Sequence, residues 1–149
     1  MGCRILLKAV FLTDAFYKDY PNAKFGEIEQ KTNRPYIRIQ IMMDGVLWGI
    51  PMRSNISHNH AIWTNEEEHC GLDLSKAVVI AKPAKYVSCV APHIRDDEFK
   101  ELKKLDEYTV SQKLQKYIRD YKKAKKALKV KRNRDLVLCS TLQYFEKYI

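Results

Sequence analysis

At 149 residues, 46% hydrophobic and 30% charged, with five glycines and five prolines, the chain has the make-up of one globular domain spanning residues 1–149. Such a length buries roughly 70% of the unfolded surface, and the composition excludes disordered, collagen-like and low-complexity chains. The net charge of +9 is concentrated: Lys113 to Arg134 holds 11 Lys/Arg and one acid, Asp120, while the remainder carries 16 basic and 17 acidic residues.

The elements follow in chain order. Arg4 to Val10 is a short apolar run suited to a buried strand. Thr13-Asp14 can cap a short helix through Tyr20, ended by Pro21-Asn22, because a Thr or Asp oxygen accepts an orphan first-turn amide. Tyr36 to Ile41 alternates β-branched and polar residues, Asp44-Gly45 is a strong hairpin turn signal, and Val46 to Met52 is the return strand, ending near Pro51. Lys76 to Ala81 and Tyr86 to Val90 are expected as further short strands, separated by a Lys82-Pro83 turn.

Beyond Asp96 the period changes from strand to helix. Asp96-Asp97-Glu98 places acids in a first helical turn, favourable against the helix dipole. Val110, Leu114, Tyr117, Ile118, Tyr121, Ala124 and Leu128 recur at helical spacing and predict one buried stripe. The opposite face carries Lys113, Lys116, Arg119, Lys122, Lys123 and Lys126. A last helix from about Asp135 is expected to bury Leu138, Leu142, Phe145 and Ile149. The fold class is α+β: a compact antiparallel sheet with helices packed against it.

Cysteines 3, 70, 89 and 139 are scattered, with no C-x-x-C pair, and are expected to be reduced and mostly buried. Met1-Gly2 begins like a myristoylation signal, but Leu6 stands where that motif wants Ser or Thr. Ile5 to Leu12 is too short and interrupted for a secretory signal, and no apolar run approaches the ~18 residues needed to span a bilayer. A soluble, cytoplasmic protein is expected.

The concentrated positive field points to a polyanion, nucleic acid or an anionic membrane surface, with a solvated helix face as the bland alternative. No P-loop, G-x-G-x-x-G, G-x-S-x-G or H-E-x-x-H is present, which makes nucleotide-driven enzymes and common hydrolases poor fits. Chemistry is concentrated in Arg53-Ser54-Asn55-Ile56-Ser57-His58-Asn59-His60. His can take or give a proton near neutral pH, and Arg can grip two phosphate oxygens with its planar fork. Metal-independent RNA cleavage needs that inventory: a base for the 2′-OH, cations for the phosphorane, and an acid for the leaving 5′ oxygen. The alternatives are a polar surface loop and a zinc site built from His58, His60, His69 and Cys70, whose spacing fits no structural zinc motif. Trp48 and Trp63 can either stack on bases or pack in the sheet.

Asn33-Arg34-Pro35-Tyr36, then Gly49-Ile50-Pro51-Met52-Arg53-Ser54, resembles the core of type III toxin–antitoxin toxins, the ToxN, CptN and TenpN endoribonucleases. Cys70-Gly71-Leu72-Asp73-Leu74-Ser75-Lys76-Ala77 and Leu142-Gln143-Tyr144-Phe145-Glu146 are similar to the TenpN branch, so the likeness runs from about Leu6 to the last residue. The resemblance implies a strongly twisted antiparallel sheet related to the MazF/Kid toxins. It also implies a metal-independent RNase without a small-molecule cofactor, acting on cellular RNA rather than at a membrane. Its antitoxin would be a repeat-derived pseudoknot RNA, which the toxin itself cuts free and which inhibits it in a closed toxin–RNA assembly. Release would arrest growth and abort phage infection.

ToxN-like members carry Pro-Leu-Thr-Ser at the strand end; here Pro51 and Ser54 match and Arg53 replaces the Thr. Lys31 is the nearest candidate for that branch's catalytic Lys. The expected catalytic set is therefore His58 as base or acid, Arg53 and Lys31 on the phosphate, and Ser54 and Ser57 as hydrogen-bond donors. The expected RNA contacts are Arg34, His60 and the cationic row Lys113, Lys116, Arg119, Lys122, Lys123 and Lys126. A non-catalytic nucleic-acid-binding module using the segment 113–134 is the competing reading.

Overall fold

The structure is a computed structural model, and it describes residues 7–41 and 46–149. Arg4 to Leu6, Cys3, the Met1-Gly2 start and the Asp44-Gly45 turn lie outside the described residues. The chain forms β1 (Lys8–Val10), α1 (Asp14–Asp19), β2 (Tyr36–Ile41), β3 (Val46–Arg53), β4 (Ala61–Asn65), β5 (Cys70–Asp73), β6 (Val78–Val79), α2 (Pro83–Tyr86), α3 (Asp96–Leu102), α4 (Glu107–Lys125) and α5 (Lys131–Leu138). Strand order is β1-β2-β3-β5-β4, with β6 also on β3, and every pairing is antiparallel. The α+β class read from the sequence is the class observed.

β2 pairs along its whole length with residues 46–51 of β3, from Tyr36↔Pro51 to Ile41↔Val46. β3 is the centre of the sheet, and its consecutive residues 48–52 are all buried, so it does not alternate between a wet and a dry side. Pro51 stands where β2 pairing ends and β5 pairing begins at Met52↔Leu72, a place where its missing N–H removes nothing from the ladder. Trp48 is therefore a core residue, and Trp63 is half-buried on β4.

β4 and β5 were not expected from the sequence. β5 is buried at every position, so it shows no period-two signal. Gly71 allows the two strands to approach: a Cβ there would lie 2.4 Å from the Ile62 carbonyl oxygen. The β4–β5 turn places His69 at φ 54°, a left-handed conformation for which His is among the more tolerant residues.

Thr13 caps α1 as expected, its hydroxyl oxygen accepting from the Phe16 amide at 3.4 Å and donating to the Lys85 carbonyl at 2.7 Å. Asp106 caps α4 by accepting from the Thr109 amide at 2.8 Å. α4 buries Val110, Leu114, Tyr117, Ile118, Tyr121 and Ala124 against β2 and α5, as the stripe predicts. Each large apolar side chain taken from water contributes roughly 1.5–3 kcal/mol, so this stripe fixes where the helix sits.

Six local expectations are corrected. Lys76 to Ala81 is a strand only at Val78–Val79, because Leu74–Lys76 closes a 3-10 turn first. Lys82-Pro83 opens α2 instead of a turn, since proline is tolerated at a first helical position; Tyr86 to Val90 then keeps only a Val87 bridge to Leu12. Leu128 falls beyond α4 and is exposed. The last helix stops at Leu138, itself 63% exposed, and two 3-10 turns carry Leu142 and Phe145 into the core. Cys89 and Cys139 are exposed, and only Cys70 of the described cysteines is buried, all three as free thiols. No helix among the described residues is long and apolar enough to cross a membrane.

Candidate active site

The loop after β3 is turned by Asn55, at φ 56°, a conformation that Asn tolerates because its short polar side chain can bond locally. This turn carries Ser57, His58 and His60 to the open end of a cleft of about 740 Å³ between α4 and α5. The far walls are Tyr117, Asp120, Lys123 and Ala124 from α4, and Arg132, Asn133, Asp135 and Leu136 from α5.

Behind the loop runs a chain of ion pairs. Glu29 meets Lys31 at 3.3 Å, Arg34 at 3.0 Å and Arg53 at 2.5 Å. Arg53 continues to Asp73 at 2.5 Å, and Asp73 Oδ1 lies 3.2 Å from His58 Nε2. Asp73 is fully buried, and its carboxylate also accepts from the Ser75 hydroxyl at 2.6 Å and amide at 3.0 Å. Burial alone would raise this carboxyl; hydrogen bonds from His58, Ser75 and Arg53 outweigh that and hold it at about 2. Burial opposes the charge on Glu29 too, but Arg34, Arg53 and Lys31 bring it below the ordinary value.

The fold thus brings Lys31, Arg34, Arg53 and His58 onto one network, although they come from two separate segments. It directs their charges at Glu29 and Asp73: the Arg53 fork grips two carboxylates, and Lys31 lies exposed beside Glu29. Ser54 is exposed just past β3, and Ser57 lies on the cleft rim. His58 has both ring nitrogens engaged, with Nδ1 accepting from the His60 amide at 3.0 Å and Nε2 against Ser75 Oγ at 3.1 Å and Asp73.

His60 differs. Its ring lies 5.5 Å from that of His58 and 5.3 Å from that of Tyr117, and among the described residues neither ring nitrogen is hydrogen-bonded. Burial, and then the neighbouring His58, lower its pKa, against smaller raising effects of Asp120 and Asp73. A lowered imidazole is neutral and proton-accepting at pH 7.

The cationic row on α4 divides by the helical period. Lys123 faces the cleft and Lys116 pairs with Asp120 at 2.9 Å on the same edge. Lys122 and Lys126 border a separate surface depression with Tyr121, Lys125 and Glu146, while Lys113 and Arg119 are simply exposed. Among the described residues, neither Lys123 nor Arg132 has an ion-pair partner.

Sequence reasoning missed Glu29, Asp73, Ser75 and the α5 wall. Asp73 did leave a signal: an acid inside Gly71-Leu72-Asp73-Leu74 is destined for burial and must then be paired. The donors of the zinc reading do not converge; Cys70 Sγ contacts the Glu68 carbonyl at 3.6 Å, His69 lies against Trp63, and no metal-holding group forms among the described residues.

The last segment of the chain locks the turn that carries Ser75. The Thr141 hydroxyl donates to the Ser75 carbonyl at 3.2 Å and to the Ala77 carbonyl, Lys76 Nζ donates to the Cys139 carbonyl at 2.8 Å, and the Tyr117 hydroxyl donates to Ser140 Oγ at 2.8 Å.

Compared with known proteins, the chain matches no family model, no curated protein and no solved structure.

Proposed function

We propose that this protein is an endoribonuclease that cleaves RNA without a metal ion, and that it is the toxin of a type III toxin–antitoxin system acting in the cytoplasm. The observation that carries the reading is His60: a neutral imidazole with open nitrogens, in a cleft whose walls hold the unpaired cations Lys123 and Arg132. His60 takes the 2′-hydroxyl proton as the 2′ oxygen attacks phosphorus. Lys123 and Arg132 hold the charge that grows on the phosphate oxygens, and the 5′ oxygen leaves and takes a proton from a water molecule in the open cleft, producing a 2′,3′-cyclic phosphate and a 5′-hydroxyl. In this scheme His58 is a positioning residue, fixed by Asp73 and Ser75 and holding the His60 amide. The toxin assignment, with a pseudoknot RNA antitoxin in a closed assembly, rests on the sequence resemblance; the basic segment Lys113 to Arg134 supports a phosphate-rich partner.

Incubation of RNA with purified protein in excess EDTA, with chemical identification of the new ends, tests the reaction. Cyclic-phosphate ends, reduced about 10²–10⁴-fold in His60→Ala, are the expected result. A second reading, an RNA-binding module without catalysis, is favoured by the commitment of both Arg53 terminal nitrogens to Glu29 and Asp73 and of both His58 ring nitrogens to internal bonds. Salt-sensitive binding of RNA that stays uncut would establish that reading instead.

A further inference from the structure

The neighbours of His58 leave its neutral ring a single place for its proton. Nδ1 faces a donor, the His60 amide at 3.0 Å, so it must present a lone pair. Nε2 lies 3.2 Å from Asp73 Oδ1 and 3.1 Å from Ser75 Oγ. Asp73 is a fully buried carboxylate, and Ser75 spends its hydroxyl proton on it at 2.6 Å, so both groups accept at Nε2. The neutral ring is therefore the Nε2–H tautomer, held between two acceptors on one side and a backbone donor of its own loop on the other.

A second proton has to go to Nδ1, where it meets the His60 N–H donor to donor. Turning the ring over gives no relief, because both nitrogens of an imidazolium donate. We infer that His58 is a proton-operated latch on His60: the neutral ring holds the His60 amide and so sets the His60 side chain in the cleft, and the imidazolium lets it go. Nothing nearby takes over the hold. Among the described residues the one carboxylate paired with the ring is Asp73, at the other nitrogen. Arg53 is spent on Glu29 and Asp73, and Lys76 on Glu27 and the Cys139 carbonyl. From α4, Asp120 is paired with Lys116 and the Tyr117 hydroxyl donates to Ser140; from α5, Asp135 is paired with Lys131. Lys123 and Arg132, on the cleft walls, are donors themselves. The latch deepens the ribonuclease reading by naming what positions the base, and it rests on that reading only for its effect on cleavage.

An NMR titration of the isotope-labelled chain without RNA tests the latch. In alkaline buffer the ring nitrogen shifts should place the His58 proton on Nε2. As pH falls, the His60 amide proton should move upfield with the midpoint of the His58 ring, not with that of its own ring. Its protection against exchange should drop about five- to tenfold, as the loss of one hydrogen bond allows. His58→Asn is the sharper variant: an Asn side-chain oxygen accepts from the amide two residues on and does not titrate. In that variant the His60 amide should keep its place across the range. Cleavage in alkaline buffer should be about five- to tenfold faster than in His58→Ala, both variants having the wild-type circular dichroism spectrum. A His58 proton on Nδ1, a His60 amide that follows its own ring or does not respond, or equal cleavage by the two variants overturns the latch. An amide that follows His58 in a chain that cuts no RNA leaves the latch standing and overturns the ribonuclease reading.

Discussion

Two charged regions lie side by side in this molecule and behave in opposite ways. Behind β3, Glu29, Arg34, Arg53 and Asp73 neutralise one another at 2.5–3.0 Å, and Asp73 is sealed from water. Across the cleft, Lys123 and Arg132 stand open, with no ion-pair partner among the described residues. The first arrangement fixes geometry; the second waits for an anion. The lesson is that the density of chemistry-bearing residues in a sequence marks a neighbourhood, while the pairing of charges decides which of them face a ligand.

The largest expected effect that separates the two is on stability. Asp73→Ala removes a buried carboxylate and leaves the half-buried Arg53 guanidinium with Glu29 as its remaining partner, and should cost about 3–5 kcal/mol, on the order of 10 °C in melting temperature. Lys123→Ala should change stability by no more than about 0.5 kcal/mol. Equal melting temperatures for the two variants would erase the distinction.

Acid should then discriminate them. Asp73 has its folded pKa at about 2, against an ordinary 3.8, so its stabilising contribution is complete above about pH 4 and fades as pH falls toward 2. On the order of 2 kcal/mol is at stake, and Asp73→Asn should flatten that part of the urea-unfolding profile between pH 5 and 2. A profile identical to wild type would show that the carboxylate is not held as described.

The cleft should answer to a different pH. Because the His60 pKa is lowered, cleavage should rise through a midpoint below the ordinary 6.5 and be flat at neutrality. His58→Ala removes one of the lowering influences, so the midpoint should move up. A midpoint that stays in place in His58→Ala, or an unchanged rate in His60→Ala, would remove the base from this ring.

The smallest effect is in salt dependence. Lys123→Gln should lower the slope of log affinity against log salt by about 1, as the loss of one phosphate contact does. The same change at Lys126, on the other side of α4, sharpens the comparison: an equal loss there would mean that RNA covers both sides of the helix.

The parts of the fold that were legible in the sequence are those with a local period. β2 alternates β-branched and polar residues ahead of a turn signal, and α4 repeats its apolar residues over nineteen positions, so both are read from neighbours in the chain. β5 is four residues buried at every position with no alternation, and α5 exposes Leu138 because the chain leaves the helix there and buries Leu142 and Phe145 instead. The candidate site divides the same way. The loop from Arg53 to His60 was visible by residue type, and His60 lies in the cleft there. Glu29 and Asp73, which decide the orientation of Arg53 and His58, lie 24 and 20 positions from Arg53, and no local pattern announces a partner at that separation.

The hold of Thr141 on the Ser75 and Ala77 carbonyls has a bearing on biosynthesis. Ser75 steadies His58 only while its own turn is pinned by residues made 64 to 66 positions later. A nascent chain can therefore complete the sheet, with every histidine of the loop already translated, and still lack an ordered cleft. The cleft is pinned only after the stretch around Thr141 has left the ribosome and docked, so a nascent chain that lacks this stretch carries a Ser75 turn without that hold.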